Sequence, residues 1–159
     1  MAKSLAHRIP SRIASGNSAA VIGLGRFGSS VALNLESAGV EVLGIDVDQN
    51  LVTQLADHLT FVARADSTSV DALKQLAIPD FDRVVLGIGT NLEASILTAS
   101  HLVDFGIPTL WVKALSNEHA RILRQIGVAN IVEPEMEVGR RLAHELVSPP
   151  TGHVDDTAE

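Results

Sequence analysis

The stretch Ala19–Asp46, AAVIGLGRFGSSVALNLESAGVEVLGID, decides the fold. It begins with a short apolar run that contains β-branched residues, and Gly23, Gly25 and Gly28 then follow in G-x-G-x-x-G spacing. Apolar positions recur at helical period after the glycines, and a second apolar run, 40–45, leads into the acid that closes the stretch. This order predicts a strand, a tight glycine turn, a helix and a second strand that ends in a carboxylate.

The turn and the acid together have the chemistry of a nucleotide site. Gly23 permits a sharp turn, Gly25 lets the backbone approach a phosphate, and Gly28 lets the helix pack closely on the sheet. The helix N-terminus offers unpaired N–H groups and the positive end of a dipole. Asp46 is placed to accept both hydroxyls of a ribose, which argues against a 2′-phosphate and so against NADP. A G-x-G-x-x-G motif alone is weak evidence for nucleotide binding. Here a strand precedes it and a helix and an acid-ended strand follow it, which favours nucleotide binding over a fold that keeps the glycines only for packing.

Composition narrows the class of protein. The 159 residues are 46% hydrophobic but only 3% aromatic, which is typical of parallel strands buried beneath helices. The net charge of −7 argues against a nucleic-acid partner. The absence of cysteine excludes disulfides and thiolate metal sites, and no apolar run approaches the ~20 residues that cross a bilayer. We therefore expect a soluble cytoplasmic domain whose membrane role, if any, comes through a partner.

Strands and helices alternate along the whole chain. The predicted strands are 19–22, 40–45, 59–63, 83–88, 109–112 and 130–132, and the predicted later helices are 48–58, 68–76, 92–105, 116–126 and 134–147. This predicts an α/β, Rossmann-like, doubly wound parallel sheet of six strands in the order 3-2-1-4-5-6, with helices on both faces. We expect a flexible leader over 1–17, a nucleotide-binding domain over 18–147 and a disordered tail over 148–159.

Ligands of such sheets bind at the carboxyl ends of the strands. The candidate residues there are Arg26, Phe27, Asp46, Asp48, Asp66, Gly89, Thr90, Asn91, Lys113, Glu133 and Glu135. Arg26 either neutralises phosphates or lies in solvent, and Asp66 either meets the adenosine or caps a turn. Lys113 either contacts a phosphate or forms a salt bridge with Glu135 that has no role in binding.

Other polar and aromatic residues are given structural interpretations. His101 and His119 fall on helices and are expected at the surface or at an interface. Trp111, within the fifth strand, is expected in the core. The acids of the last helix, Glu145 among them, are expected to form i,i+4 pairs with Arg141.

Catalysis is disfavoured by what the chain lacks. A dehydrogenase needs a substrate site and a proton donor, commonly on a second domain, and too few residues follow the sixth strand and its helix to form one. The sequence has no tyrosine, which removes the Tyr–Lys pair of short-chain dehydrogenases. We therefore favour a regulatory nucleotide-binding module over an NAD-dependent oxidoreductase of unknown substrate, with a scaffold that binds no ligand as the third alternative.

Several motifs resemble one family in the same order along the chain. They are VIGLGRFGSSVALNL, EVLGIDVD, ARADST, VVLGIGTNLEASILTA, IPTLWVKA and IGVANIVEPEMEVGRRLA, between about Ser18 and Leu146. Together they resemble the N-lobe of RCK (KTN or TrkA-N) proteins, above all the KtrA-like cytosolic subunits of bacterial potassium uptake systems. The family usually continues into a C-terminal lobe, which we expect to be absent because the sequence ends at Glu159.

The resemblance implies a regulatory function and assigns the site residues. It implies ATP or ADP as ligand in the KtrA-like branch and NAD or NADH in the TrkA-like branch. It implies a homodimer that assembles into an octameric ring under a membrane potassium transporter or channel, on the inner face of the cell membrane. By matching motifs it assigns Gly23, Gly25, Arg26, Phe27 and Gly28 to phosphate, Asp46 to ribose, Asp66 and Lys113 to the site, and Glu135 to a divalent cation, Mg²⁺ or Ca²⁺, at a subunit boundary. It also implies that Val138, Leu142 and Leu146 form an interface stripe.

Overall fold

The computed structural model describes residues 5–148, in which strands and helices alternate after an initial helix. The helices are α1 (Leu5–Ala14), α2 (Arg26–Ser37), α3 (Gln49–Leu55), α4 (Val70–Gln75), α5 (Leu92–Asp104), α6 (Asn117–Gln125) and α7 (Pro134–Val147). The strands are β1 (Ser18–Ile22), β2 (Glu41–Asp46), β3 (Phe61–Arg64), β4 (Arg83–Leu86), β5 (Thr109–Lys113) and β6 (Asn130–Val132). A short 3-10 helix, Ile78–Asp80, precedes β4. Within the described residues, no helix combines the length and apolar character needed to cross a membrane.

The strands form one parallel sheet in the order β3-β2-β1-β4-β5-β6, so the predicted topology is confirmed. The order reverses between β1 and β4, because the chain winds outward from β1 to β3 and then crosses to β4. A crevice therefore opens above the carboxyl ends of β1 and β4, where ligands of open α/β sheets bind.

Alternate strand residues build two hydrophobic cores, one on each face of the sheet. On the first face, Ile22, Ile45 and Leu86 pack in a cluster with residues of α1, α5 and α6. On the second face, Val21 and Val42 pack in a cluster with residues of α2 and α3. Because successive side chains of a strand point to opposite faces, both faces of the central strands are buried.

Trp111 does not lie in the core, and the prediction that placed it there is wrong. Leu110 and Val112 of β5 point into the first core, so Trp111 points to the opposite face and is 44% exposed. The helices on that face, α2 and α3, pack mainly on β1, β2 and β3. The strand pattern alone could not show where this helical cover ends.

Helix α1 lies within the segment 1–17, for which a flexible leader is expected. Ile13 and Ala14 are buried in the first core, and the helix contacts β1, β2 and the 3-10 helix. The helix has ten residues and contains Pro10, which weakens the helical signal of the sequence. Residues 1–4 and the expected tail from 149 onward lie outside the described residues.

Replacing Ile13 with alanine should reduce the free energy of unfolding by about 2–4 kcal/mol, because it empties a fully buried site. Urea unfolding of the two proteins gives this difference. Arg12→Ala, on the exposed side of the same helix, is the matched control and should change stability by less than about 0.5 kcal/mol. Equal stability of Ile13→Ala and the parent protein would show that α1 does not pack on the sheet in solution.

Candidate nucleotide-binding site

A cavity of about 780 Å³ lies above the carboxyl ends of the strands. Most of the residues predicted for the site line it: Gly23, Gly25, Arg26, Phe27, Asp46, Asp48, Asp66, Gly89, Thr90, Asn91 and Lys113. Three candidates lie outside the lining: Gly28, buried beneath the turn, Glu133, the N-cap of α7, and Glu135, at the start of α7. The cavity has the volume of a small-molecule site.

The glycine turn is closely packed against the loop after β4. Gly23 has a φ of +89° and donates its N–H to the Ile45 carbonyl at 2.8 Å, while the Gly87 N–H reaches the Ile22 carbonyl at 2.7 Å. A Cβ on Gly23 would lie 2.8 Å from the Gly87 carbonyl carbon. This position therefore requires glycine both for its left-handed backbone and for the close approach.

Gly25 is the N-cap of α2 and faces open space. It has φ −67° and ψ −165°, and a Cβ there would meet no heavy atom within 4 Å. Because the first N–H groups of a helix lack intrahelical partners, this end of α2 presents backbone donors to the cavity. The arrangement can hold an anion that approaches close to the backbone.

Asp46 ties the glycine turn to the end of β2. Its Oδ2 accepts the Leu24 N–H at 2.7 Å, and its Oδ1 accepts the Asp48 N–H at 2.8 Å. These contacts fix the carboxylate at the cavity wall, and each ionised carboxylate oxygen has more than one acceptor position. Asp46 is thus oriented to accept further hydrogen bonds from a ligand diol.

Three polar candidates also have local structural functions. Asp48 caps α3 by accepting the Asn50 N–H, and Asn91 caps α5 by accepting the Ala94 N–H. Asp66 accepts the hydroxyl and the backbone N–H of Thr68 at 2.7 and 2.9 Å, and these hydrogen bonds lower its pKa. Asp66 therefore caps a turn at the cavity wall, which is one of the two interpretations that the sequence left open.

Lys113 lies between the cavity and α7. Its Nζ is 3.2 Å from Glu135 Oε1 and 5.7 Å from the centroid of the Phe27 ring. Arg26 lines the cavity near the same end and is exposed. Two cations thus stand on the side of the cavity where the glycine turn begins, and one of them is already paired with an acid.

Sequence reasoning missed apolar parts of the wall. Val47 lines the cavity and is 63% exposed, and Leu97 of α5 also lines it. Val47 could have been noticed as an apolar residue between two acids in a loop. Leu97 fits the helical period of α5 and carried no separate signal.

Comparison with known proteins identifies the family. Residues 19–134 match the model of the TrkA-N domain. The chain belongs to the TrkA-N domain family. The resemblance noted from the motifs is therefore confirmed, and α1 lies outside the matched residues.

Curated relatives of this TrkA-N domain include two proteins of Bacillus subtilis (strain 168). The chain is 43% identical to the Ktr system potassium uptake protein C over 129 residues, which are 81% of this chain and 58% of the relative. It is 39% identical to the Ktr system potassium uptake protein A over 127 residues, which are 80% of this chain and 57% of that relative. The chain therefore spans little more than half the length of these relatives.

Solved structures share the fold at low sequence identity. The TrkA-N domain of the inner membrane protein ybaL from Escherichia coli superposes with a TM-score of 0.73 at 19% identity, over 83% of this chain and 97% of that one. The GsuK channel bound to NAD superposes with a TM-score of 0.69 at 15% identity, over 80% of this chain and 23% of that one. GsuK bound to ADP superposes with a TM-score of 0.68 at 14% identity, over 81% of this chain and 34% of that one. These structures establish that the TrkA-N domain has the Rossmann-like fold.

His119 of the TrkA-N domain is buried, so the prediction of a surface or interface position is wrong for it. Its Nδ1 accepts the Leu115 N–H at 3.1 Å, and its Nε2 is buried without a hydrogen-bond partner. Burial lowers the pKa of the ring because water no longer stabilises the charged form. His101, by contrast, is half-buried and contacts the Thr68 carbonyl through Nε2 at 3.0 Å.

The buried His119 predicts a loss of stability in mild acid. Its pKa is lowered in the folded domain and returns to about 6.5 on unfolding, so the unfolded chain binds the extra proton first. The stabilisation is complete above about pH 6.5 and decreases as the pH falls toward the lowered folded value. Thermal unfolding at about pH 7.5 and about pH 5.5 tests this. The melting temperature should decrease more between the two pH values for the parent protein than for His119→Asn. His58→Asn, at an exposed position, is the control. If the melting temperature of His119→Asn decreased as much as that of the parent protein, His119 would not be the cause of the acid sensitivity.

Proposed function

We propose that this TrkA-N domain binds an adenine nucleotide and regulates a membrane potassium transporter or channel as its cytosolic gating subunit. The observation that supports it is the convergence of a glycine turn, the start of α2 and Asp46 on one cavity with two cations at its edge. The ligand is ATP or ADP, or alternatively NAD or NADH. Its occupancy is passed on by rearrangement of subunits.

The cavity supports each part of such a ligand. Asp46 would accept the ribose hydroxyls, and the open space over Gly25 would receive the phosphates next to the N–H groups of α2. Arg26 and Lys113 would neutralise phosphate charge, and an additional cation favours a triphosphate. Asp48, Asp66, Gly89 and Asn91 complete the proposed binding residues.

The relatives support a function in potassium transport rather than catalysis. Both Bacillus subtilis proteins are named as potassium uptake proteins, and GsuK was solved with NAD and with ADP. For this chain the membrane partner, the location at the inner face of the membrane, the homodimer and the octameric ring are proposals. The exposed side chains of Val138, Leu142 and Leu146 on α7 fit the proposed contact between subunits.

A divalent cation is the second proposed ligand. Glu135 is exposed and ionised at the cavity edge, and its oxygen chemistry suits Mg²⁺ or Ca²⁺. Within residues 5–148, no group of three or more side chains is arranged to hold a metal. A complete site would therefore need phosphate oxygens of the nucleotide or a second copy of the chain.

Calorimetric titration with ATP, ADP, NAD and NADH, with and without magnesium, tests the proposal. Saturable binding of at least one nucleotide is expected, and Asp46→Ala should weaken it because the ribose contacts are lost. Preference for ATP and ADP supports the KtrA-like branch, and preference for NAD or NADH supports the TrkA-like branch. Binding of none of the four would contradict the proposed function, and turnover of NADH with a candidate substrate would favour the oxidoreductase instead.

A further inference from the structure

Lys113 is held at the point where the cavity meets α7. Only 14% of its side chain is exposed, compared with 73% for its partner Glu135. Its Nζ is near the Phe27 ring, and a Cβ on Gly89 would lie 3.7 Å from it. The ammonium group therefore lies beside the glycine turn, the loop after β4 and the start of α7 at once.

Helix α7 has few other attachments to the sheet. None of its residues is buried. Among the residues that the structure describes, Lys113–Glu135 is the one ion pair that joins α7 to the sheet, and the pair Arg141–Glu145 lies within the helix. This ion pair therefore joins the start of α7 to the sheet, in addition to the chain connection to β6.

The carboxylate of Glu135 lies near two cations, Lys113 and Arg26. Hydrogen bonds from its own backbone N–H and from Lys113, followed by the charges of Lys113 and Arg26, lower the pKa of its carboxyl. The carboxylate is thus charged at neutral pH and interacts with both cations proposed to neutralise phosphate. A terminal phosphate carries more negative charge than a carboxylate and would compete for the same ammonium group.

We propose that Glu135 is an internal competitor for the terminal phosphate of a bound nucleotide. When a nucleoside triphosphate binds, its terminal phosphate takes Lys113 from Glu135, and the start of α7 loses its ion pair with the sheet. The charge of the nucleotide then determines how firmly α7 is held, and α7 carries exposed apolar residues such as Leu142. This inference rests on the proposed function, because it assumes that the cavity binds phosphate.

Binding of ATP and of adenosine to the full chain, in EDTA to exclude metal bridging, tests the competition. ATP should bind about two- to five-fold more tightly to Glu135→Gln than to the parent protein, because the competing charge is removed. Adenosine has no phosphate and should bind both proteins equally. Glu145→Gln removes the same charge from a distant turn of α7 and should leave both affinities unchanged. The gain should also shrink at high salt, since the competition is electrostatic.

Hydrogen exchange of the α7 amides tests whether loss of the ion pair loosens the start of α7. Amides 138–141 should exchange faster in Glu135→Gln, and faster in the parent protein when ATP is bound. If the parent protein binds ATP but Glu135→Gln shows no gain, or if ATP leaves the exchange unchanged, this inference is wrong and the proposed function stands. If no variant binds ATP or adenosine, both are wrong for this class of ligand.

Discussion

Replacing Gly28 with alanine should lower the free energy of unfolding by about 3 kcal/mol or more. The added Cβ would lie 1.7 Å from the Gly23 carbonyl oxygen and 2.8 Å from its carbonyl carbon. Both are backbone atoms, and the turn that holds them is itself packed against Gly87. Helix α2 therefore has to move away from the sheet to accommodate one methyl group, which disturbs the second core.

Urea unfolding of Gly28→Ala measures this effect, and Gly139→Ala is the matched control. Gly139 lies within the exposed helix α7, where an added Cβ would meet no heavy atom within 4 Å. That substitution should be neutral or stabilise by up to about 1 kcal/mol, because alanine favours helix. If the free energy of unfolding of Gly28→Ala were within about 1 kcal/mol of that of the parent protein, α2 would not approach the turn this closely in solution.

The topology was predictable because its signals are local. The glycine spacing fixed β1, the turn and α2, and alternation of strands and helices restricted the sheet to parallel connections of one hand. Even the short strand β6 was predicted at its observed bounds, because Gly127 and Pro134 delimit it. Alternation also placed the candidate residues together, since the carboxyl ends of parallel strands share one edge.

What the sequence did not reveal depends on contacts between distant segments. Ile13 is buried because α1 reaches β1, β2 and the 3-10 helix, and no period within ten residues shows that contact. Trp111 is exposed because the helices on its face pack mainly on β1, β2 and β3, and His119 is buried because α6 turns that side inward. The pair Lys113–Glu135 was foreseen only as one of two alternatives, since its geometry depends on where α7 begins.

Replacing Gly25 with valine should abolish nucleotide binding and leave the fold intact. The position has an ordinary extended backbone, and a Cβ there meets nothing within 4 Å, so the folded chain tolerates a side chain. A bound phosphate would occupy that same space to reach the N–H groups at the start of α2. Loss of two hydrogen bonds to a charged group, about 1.5 kcal/mol or more each, corresponds to about 100-fold weaker binding or worse.

Calorimetry with ADP measures the affinity of Gly25→Val, and thermal unfolding of the same preparation shows that it is folded. Gly25→Ala adds less volume and should weaken binding less, while Ser30→Val, at an exposed position on α2 outside the cavity lining, should bind ADP like the parent protein. The poorer helix cap at Gly25→Val should reduce stability by only about 1 kcal/mol. Parent-like affinity in a folded Gly25→Val would mean that the phosphates lie elsewhere. In that case the open space over Gly25 would not be the phosphate position, and the proposed orientation of the nucleotide would be wrong.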